Sequence, residues 1–253
     1  MKLYNIVFSP TGGTKKVSAL LTGTLDGKII TVDLTHSKQN FCTVHLTQED
    51  AAVISVPSYG GRVPAVAVER LTQLNGQGAR AVLVCVYGNR AYEDTLVELE
   101  DAAKQAGFRV IAAVAAVAEH SIVRQFAAGR PDAQDAKQLS DFAQQIRAKL
   151  SVGDASEPVI PGNRPYKKAG GTGMVPKPTK ECTKCGVCAA ECPVQAIDKE
   201  NPKKVDENTC ISCMRCISVC PHSARKVNPV MLSAVSLMLR RVCSERKDCE
   251  LFL

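Results

Sequence analysis

With 253 residues the chain can form one large domain or two ordinary ones, and 45% hydrophobic and 23% charged residues are the proportions of a normal soluble protein. A formal charge of +7 raises the question of nucleic acid, but Lys and Arg are scattered, Trp is absent and aromatic residues make up only 4%, which argues against such a partner. No apolar run reaches the roughly 20 residues that cross a bilayer; Val110–Ala118 and Val230–Leu239 are the longest, so a soluble, cytoplasmic chain with no membrane partner is expected.

Met1–Phe8 reads as a short strand rather than as a basic stretch followed by a long apolar one, so no signal peptide is expected. Strand patterns then recur at Leu3–Phe8, Ile29–Leu34, Ala52–Val56, Ala81–Val86 and Val110–Ala115. Helical patterns lie between them at Lys15–Leu25, Val63–Leu74 and Glu93–Ala106, and Asp132 caps a last helix that runs to about Leu150, with Pro131 just ahead of it. His36–Leu46 fits either an extension of the second strand or a loop. Five strands alternating with helices predict an α/β fold, a five-stranded parallel sheet covered on both faces, for a first domain over residues 1–150.

Ligands of such sheets bind beyond the carboxyl ends of the strands, and three of those ends are unusual. After strand one come Ser9, Pro10, Thr11, Gly12, Gly13 and Thr14: hydroxyls, glycines that let backbone approach closely, and a helix N-terminus that favours an anion. Lys15 follows Thr14 rather than a glycine, so the run is not an ATPase P-loop. After strand three come Pro57, Ser58, Tyr59, Gly60 and Gly61, and after strand four Tyr87, Gly88, Asn89, Arg90 and Tyr92. Each sets tyrosine beside glycine, where a flat ring can stack and bare amides can face heteroatoms. The ordinary alternatives are a helix cap and plain turns. His120, after strand five, and Tyr59 are the candidates for touching a substrate; a hydrogen-bonded surface histidine is the commoner outcome.

Residues 151–175 are a linker by composition, with Pro158, Pro161, Pro165, Gly153, Gly162, Gly170, Gly171 and Gly173. A flexible chain of about 30 residues spans roughly 30 Å, which leaves open docking on the chain's own first domain or on that of a second subunit in a homodimer. Residues 176–228 form a second domain with a strong repeat: Cys182, Cys185, Cys188, Cys192, Pro193, then Cys210, Cys213, Cys216, Cys220, Pro221, offset by 28 residues. Each copy is C-x2-C-x2-C-x3-C-P, in which three cysteines hold one [4Fe–4S] cluster and the fourth holds the other. The expected sets are therefore Cys182, Cys185, Cys188 with Cys220, and Cys210, Cys213, Cys216 with Cys192. C-x2-C pairs also bind zinc, but a structural zinc site takes four ligands and has no use for a third C-x2-C step followed by Cys-Pro. Eight ligating thiolates around two cubanes add about −4 to the charge and so offset much of the formal +7. In the tail, 229–253, Val230–Leu239 carries apolar residues at helical spacing and is expected to pack on one domain; Cys42, Cys85, Cys243 and Cys249 are spare thiols.

The Ser9–Thr14 loop and the two Tyr/Gly loops resemble flavodoxin, and with the doubled cysteine run behind them the chain resembles a flavodoxin–ferredoxin fusion. The resemblance implies noncovalent FMN, with Ser9, Thr11, Gly12, Gly13 and Thr14 on its phosphate. It also implies Tyr59–Gly61 on one side of the isoalloxazine, the Gly60–Gly61 peptide facing N5, and Tyr87–Tyr92 on the other side. Long-chain flavodoxins carry an insertion and an acidic, tryptophan-bearing flavin loop, and this chain has neither. Clusters that pass one electron, joined to a flavin that exchanges one or two, make a converter between one- and two-electron carriers, with a redox protein as donor or acceptor. The alternatives are a flavin-dependent reductase of a small substrate fed by the clusters, and an iron–sulfur sensor with an empty first domain. No G-x-G-x-x-G follows a strand, so a dedicated NAD(P)H domain is not indicated.

Overall fold

In β1 (Lys2–Val7), β3 (Ala51–Pro57), β4 (Arg80–Tyr87) and β5 (Arg109–Val117) nearly every residue is buried, the pattern of strands covered on both faces, whereas β2 (Lys28–Asp33) is largely exposed and forms an edge. The computed structural model describes residues 1–170 and 173–253; Gly171, counted among the linker glycines, lies outside them. The strands pair in parallel in the order β2-β1-β3-β4-β5, the flavodoxin-like order, which reverses direction at β1/β3.

Side-chain alternation divides the core in two. Ile6, Phe8, Ile54, Val56 and Leu83 point toward α2 (Ala65–Leu71) and α3 (Thr95–Gln105). Leu3, Val53, Val82 and Val84 meet Val17 and Leu21 of α1 (Gly13–Thr22) and Leu139, Ala143 and Ile146 of α4 (Ala133–Ser151). A register shift beside Ala81/Val82 leaves Ile111 and Ala112 facing the same core. Asp132 caps α4 as expected, accepting from the amides of Gln134 and Asp135. His36–Leu46 is a loop with one 3-10 turn at Phe41–Thr43, pinned by buried Phe41 and Leu46.

The segment after α4 is no free tether. Asp94 accepts from the amides of Asn163 and Lys167, Arg164 pairs with Glu100 and Asp101, Lys167 pairs with Glu93, and Arg62 donates to the Lys167 carbonyl at 2.6 Å. These bonds strap residues 163–167 along the start of α3.

The cysteine-rich part is held by a two-residue ribbon of β6 (Lys177–Pro178) with β7 (Arg225–Lys226), and by two single-turn helices, α5 (Val187–Ala190) and α6 (Arg215–Ser218). The sequence repeat is a backbone repeat too: Lys184 and Ser212, Gly186 and Met214, and Gln195 and Ser223 all have positive φ. Then α7 (Pro229–Cys243) lays Leu232, Val235 and Leu239 on Val123 and Phe126. The tail differs from its helical expectation at its end. There β8 (Glu250–Phe252) adds an antiparallel strand to β5 and covers that edge. Among the described residues no helix is long and apolar enough to cross a membrane.

Candidate functional site

The eight repeated cysteines form two groups. Cys182, Cys185, Cys188 and Cys220 line one small cavity, and Cys192, Cys210, Cys213 and Cys216 line another. In each, three sulfurs come from one run and the fourth from the other, because the short arc of a C-x2-C-x2-C turn leaves one side open. Each set of four thiols lines one hollow, and this suits a cubane with one iron per sulfur. Burial pushes the Cys213 and Cys216 thiols up to about 12 and raises Cys210 as well, so loading a cluster must expel their protons. Cys185 is exposed, while Cys213 and Cys216 are buried. We call the first cavity outer and the second inner.

The first flavodoxin-like loop is built on bonds within and behind it. The Ser9 amide donates to Thr35 Oγ1 at 2.8 Å, and Ser9 Oγ accepts from the Lys15 amide at 2.9 Å. Gly12, at φ 93°, precedes α1 and gives it no side-chain cap; a Cβ there would meet nothing within 4 Å. An open cradle at a helix N-terminus whose N-cap residue has no side chain fits a phosphate. In the second loop Tyr59 and Arg62 exchange amide bonds of 2.9 and 3.2 Å around Gly60 and Gly61, both left-handed. Gly61 suits this place, since its φ is 84° and a Cβ would lie 2.8 Å from Glu93 Cβ. Ser58 shares a 2.8 Å hydroxyl bond with Thr95, which fixes this loop to α3.

The third loop departs from the expected ring-stacking face. Tyr87 still belongs to β4 and points into the core, 5.3 Å from the Tyr92 ring, and the Tyr92 hydroxyl donates to Glu250 at 2.9 Å. Asn89 is buried against the tail, its amide donating to the carbonyls of Cys243 and Glu245 and its oxygen accepting from the Lys247 amide. Gly88 and Arg90 are left at the loop surface, Arg90 paired with Glu93 at 2.7 Å. Tyrosine next to glycine marks a crest only if the strand has ended, and β4 runs one residue further than the apolar pattern shows.

His120 supports backbone. Its Nδ1 accepts from the amides of Ile122 and Val123 at 3.2 and 3.1 Å, and a Cβ on Gly88 would lie 2.6 Å from its ring. Burial, with Arg90 nearby, lowers its pKa below the usual 6.5. A depressed histidine stabilises the fold above its unfolded pKa and loses that contribution as pH falls through the folded value. Wild type is therefore expected to lose more stability than His120→Gln on going from pH 7.5 to 5.5 in chemical denaturation; equal losses would contradict this role.

The cysteine domain docks on the same end of the sheet within one chain. Arg215 and Ser218 donate to the Pro10 carbonyl at 3.1 and 3.4 Å, Arg70 donates to the Pro193 carbonyl at 2.5 Å, and Gln195 donates to Ser37 at 3.3 Å. Ile211 packs on the apolar core of the first domain. Burial raises the Tyr59 phenol well above the usual value, and the Cys213 thiol adds to the rise. One residue that the sequence reading missed is Arg225, which lines both cavities.

Comparison with known proteins agrees with this division. Residues 181–224 match the family model described as a 4Fe-4S dicluster domain. Ferredoxin-2 of Chlorobaculum tepidum is 40% identical over 55 residues, 19% of this chain and 89% of that protein. Ferredoxin-3 of the same organism is 42% identical over 52 residues, 18% and 84% respectively. The first domain is similar in structure to a Streptococcus pneumoniae flavodoxin, with TM-score 0.42 and 19% identity over 58% of this chain and 99% of that one. A short-chain flavodoxin associated with a bacterial microcompartment gives TM-score 0.42 and 17% identity over 62% and 100%. The fold assignment itself stands on the strand order.

Proposed function

Since the chain belongs, by residues 181–224, to the 4Fe-4S dicluster ferredoxin family and carries a flavodoxin-like domain ahead of it, we propose that it transfers electrons internally between two [4Fe–4S] clusters and FMN. When bound, each cluster supplies a one-electron couple and the flavin a couple of one or two electrons, so the fusion converts between the two kinds of carrier. Cys182, Cys185, Cys188 and Cys220 hold the outer cluster, and Cys192, Cys210, Cys213 and Cys216 the inner one. The loop Ser9–Thr14 holds the flavin phosphate, and Tyr59–Gly61 lie along the ring. The observation that carries this reading is the bond from Arg215, which lines the inner cavity, to the Pro10 carbonyl in the loop assigned to the flavin phosphate.

The residues of the interface do the positioning. Arg215 ties α6 to Pro10 and to Glu191, Arg70 holds Pro193 beside the inner cysteines, and the strap of residues 163–167 fixes the second loop through Arg62. Exposed Cys185 turns the outer cavity toward solvent, where a protein donor or acceptor can reach it. Twelve free thiols support a reducing compartment such as the cytoplasm. The test is anaerobic purification followed by stepwise reduction. The intact chain should hold about eight iron atoms and one flavin and take up about four electrons. Gly12→Glu, which puts a like charge into the cradle, should lose flavin and keep its iron. Flavin retained in Gly12→Glu would refute the cradle, and iron absent from the intact chain would refute the clusters.

A further inference from the structure

The guanidinium of Arg225 is buried at 2% exposure, yet among the described residues its partners include no carboxylate. Nε donates to Cys188 Sγ at 3.2 Å, Nη1 to the Pro176 carbonyl at 3.1 Å, and Nη2 to the Pro202 carbonyl. Arginine cannot shed its proton inside a protein, and a buried charge without a counter-charge is strongly unfavourable. Something anionic must therefore face it, and Arg225 lines the outer and the inner cavity alike.

The repeat shows that the charge is not a requirement of the fold. An offset of 28 residues carries Cys192 to Cys220 and Ile197 to Arg225. Ile197 is 4% exposed and packs among Cys188, Ala189 and Cys192, so the equivalent place in the first copy takes an aliphatic side chain. Two halves with the same cysteine spacing and the same backbone turns thus differ at this buried position by a full positive charge.

We infer that Arg225 is the built-in counter-ion of the cluster pair, and that it sets the outer cluster at a higher reduction potential than an aliphatic residue would. The inference rests on the two-cluster reading. Four thiolates around an oxidised cubane carry about −2, and one added electron makes that about −3. A fixed positive charge and an N–H bond to sulfur favour the more negative state, so both raise the potential. The direct bond goes to Cys188, a ligand of the outer cluster, while at the inner cavity Arg225 is a lining residue. The outer couple should respond more. Arg225 itself gains and loses no proton; the electron comes from the external one-electron donor, dithionite in the test.

The test is a potentiometric titration followed by electron paramagnetic resonance on the full chain, with iron determined on each sample. Cys220→Ala identifies which signal belongs to the outer site. Wild type should titrate in two separated one-electron steps. In Arg225→Ile, which copies the first repeat, the reduced-to-oxidised ratio of the outer cluster at a fixed poise should fall at least tenfold, about 59 mV for one electron. The inner cluster should move less in the same direction, and Arg225→Lys should lie between. Unchanged potentials in Arg225→Ile with iron near eight would overturn the inference while leaving the electron-transfer reading intact. If Arg225→Ile fails to load, Arg225→Lys decides: a wild-type outer potential there overturns the bond to Cys188. Wild-type chain without iron overturns the reading itself and this inference with it.

Discussion

Cys192→Ala is expected to lower iron from about eight to about four atoms per chain, and to take it from the site of Cys210, Cys213 and Cys216, not from that of the run to which Cys192 belongs in sequence. The reason is spatial: Cys192 lines the inner cavity with those three, while Cys220, from the second run, closes the outer one. Loss of one ligand of four leaves a cubane with an open iron, and the deprotonation needed to assemble it on buried thiols is no longer repaid by a full set of bonds. The outer cluster should keep its signal, flavin content should be unchanged, and reduction of the flavin by a cluster donor should be lost, since the inner site is the one that Arg215 ties to Pro10. Iron analysis with resonance spectroscopy reads all of this. Damage confined to the outer site would disprove the crossed ligand sets.

Ligand spacing was legible because it is local. Three cysteines within seven residues of chain, Cys182–Cys188, must point into one turn whatever surrounds them, and the repeat gave the same answer twice. The parallel sheet was legible for a related reason: strands buried on both faces are apolar throughout, and each was found to within about two residues. What escaped depends on distant pairing. The three residues of β8 are too few to show a period, and they become a strand only because β5 offers an unpaired edge. The strap at Asn163–Lys167 reads as loop by composition, and its partners Glu93, Asp94, Glu100 and Asp101 read as an ordinary solvated helix start. Tyr87 and Tyr92 looked like ring-stacking residues, but tail residues that no local pattern connects to them claim Tyr92 and Asn89. Arg225 was the one miss the sequence could have exposed, since laying the two cysteine runs over each other sets a charge against isoleucine.

Asp135→Ala should be among the most damaging single changes outside the cysteines, at about 3–5 kcal/mol of stability. Asp135 is 0% exposed and accepts from Arg130 at 2.9 and 2.5 Å, from the Asp132 amide at 2.9 Å and from Arg246 at 3.0 Å. Without it the buried Arg130 guanidinium keeps only the Lys247 carbonyl at 2.8 Å and a long contact to Asn89, which are too weak to replace a carboxylate. The stability of a whole domain is only about 5–15 kcal/mol, so the variant should sit near the edge of unfolding in denaturant. Its first effect should be local, because the same cluster holds Lys247 and Asn89, and through them the tail and the loop Gly88–Glu93. Limited proteolysis is therefore expected to cut after α7 in Asp135→Ala before the cysteine domain opens, with flavin affinity falling while iron stays near eight. Asp135→Asn, which keeps the shape and half of the acceptors, should lie between the two in denaturant. A loss below about 1 kcal/mol in Asp135→Ala, the range of an exposed ion pair, would mean that water reaches Arg130 and that the tail is held by β8 alone.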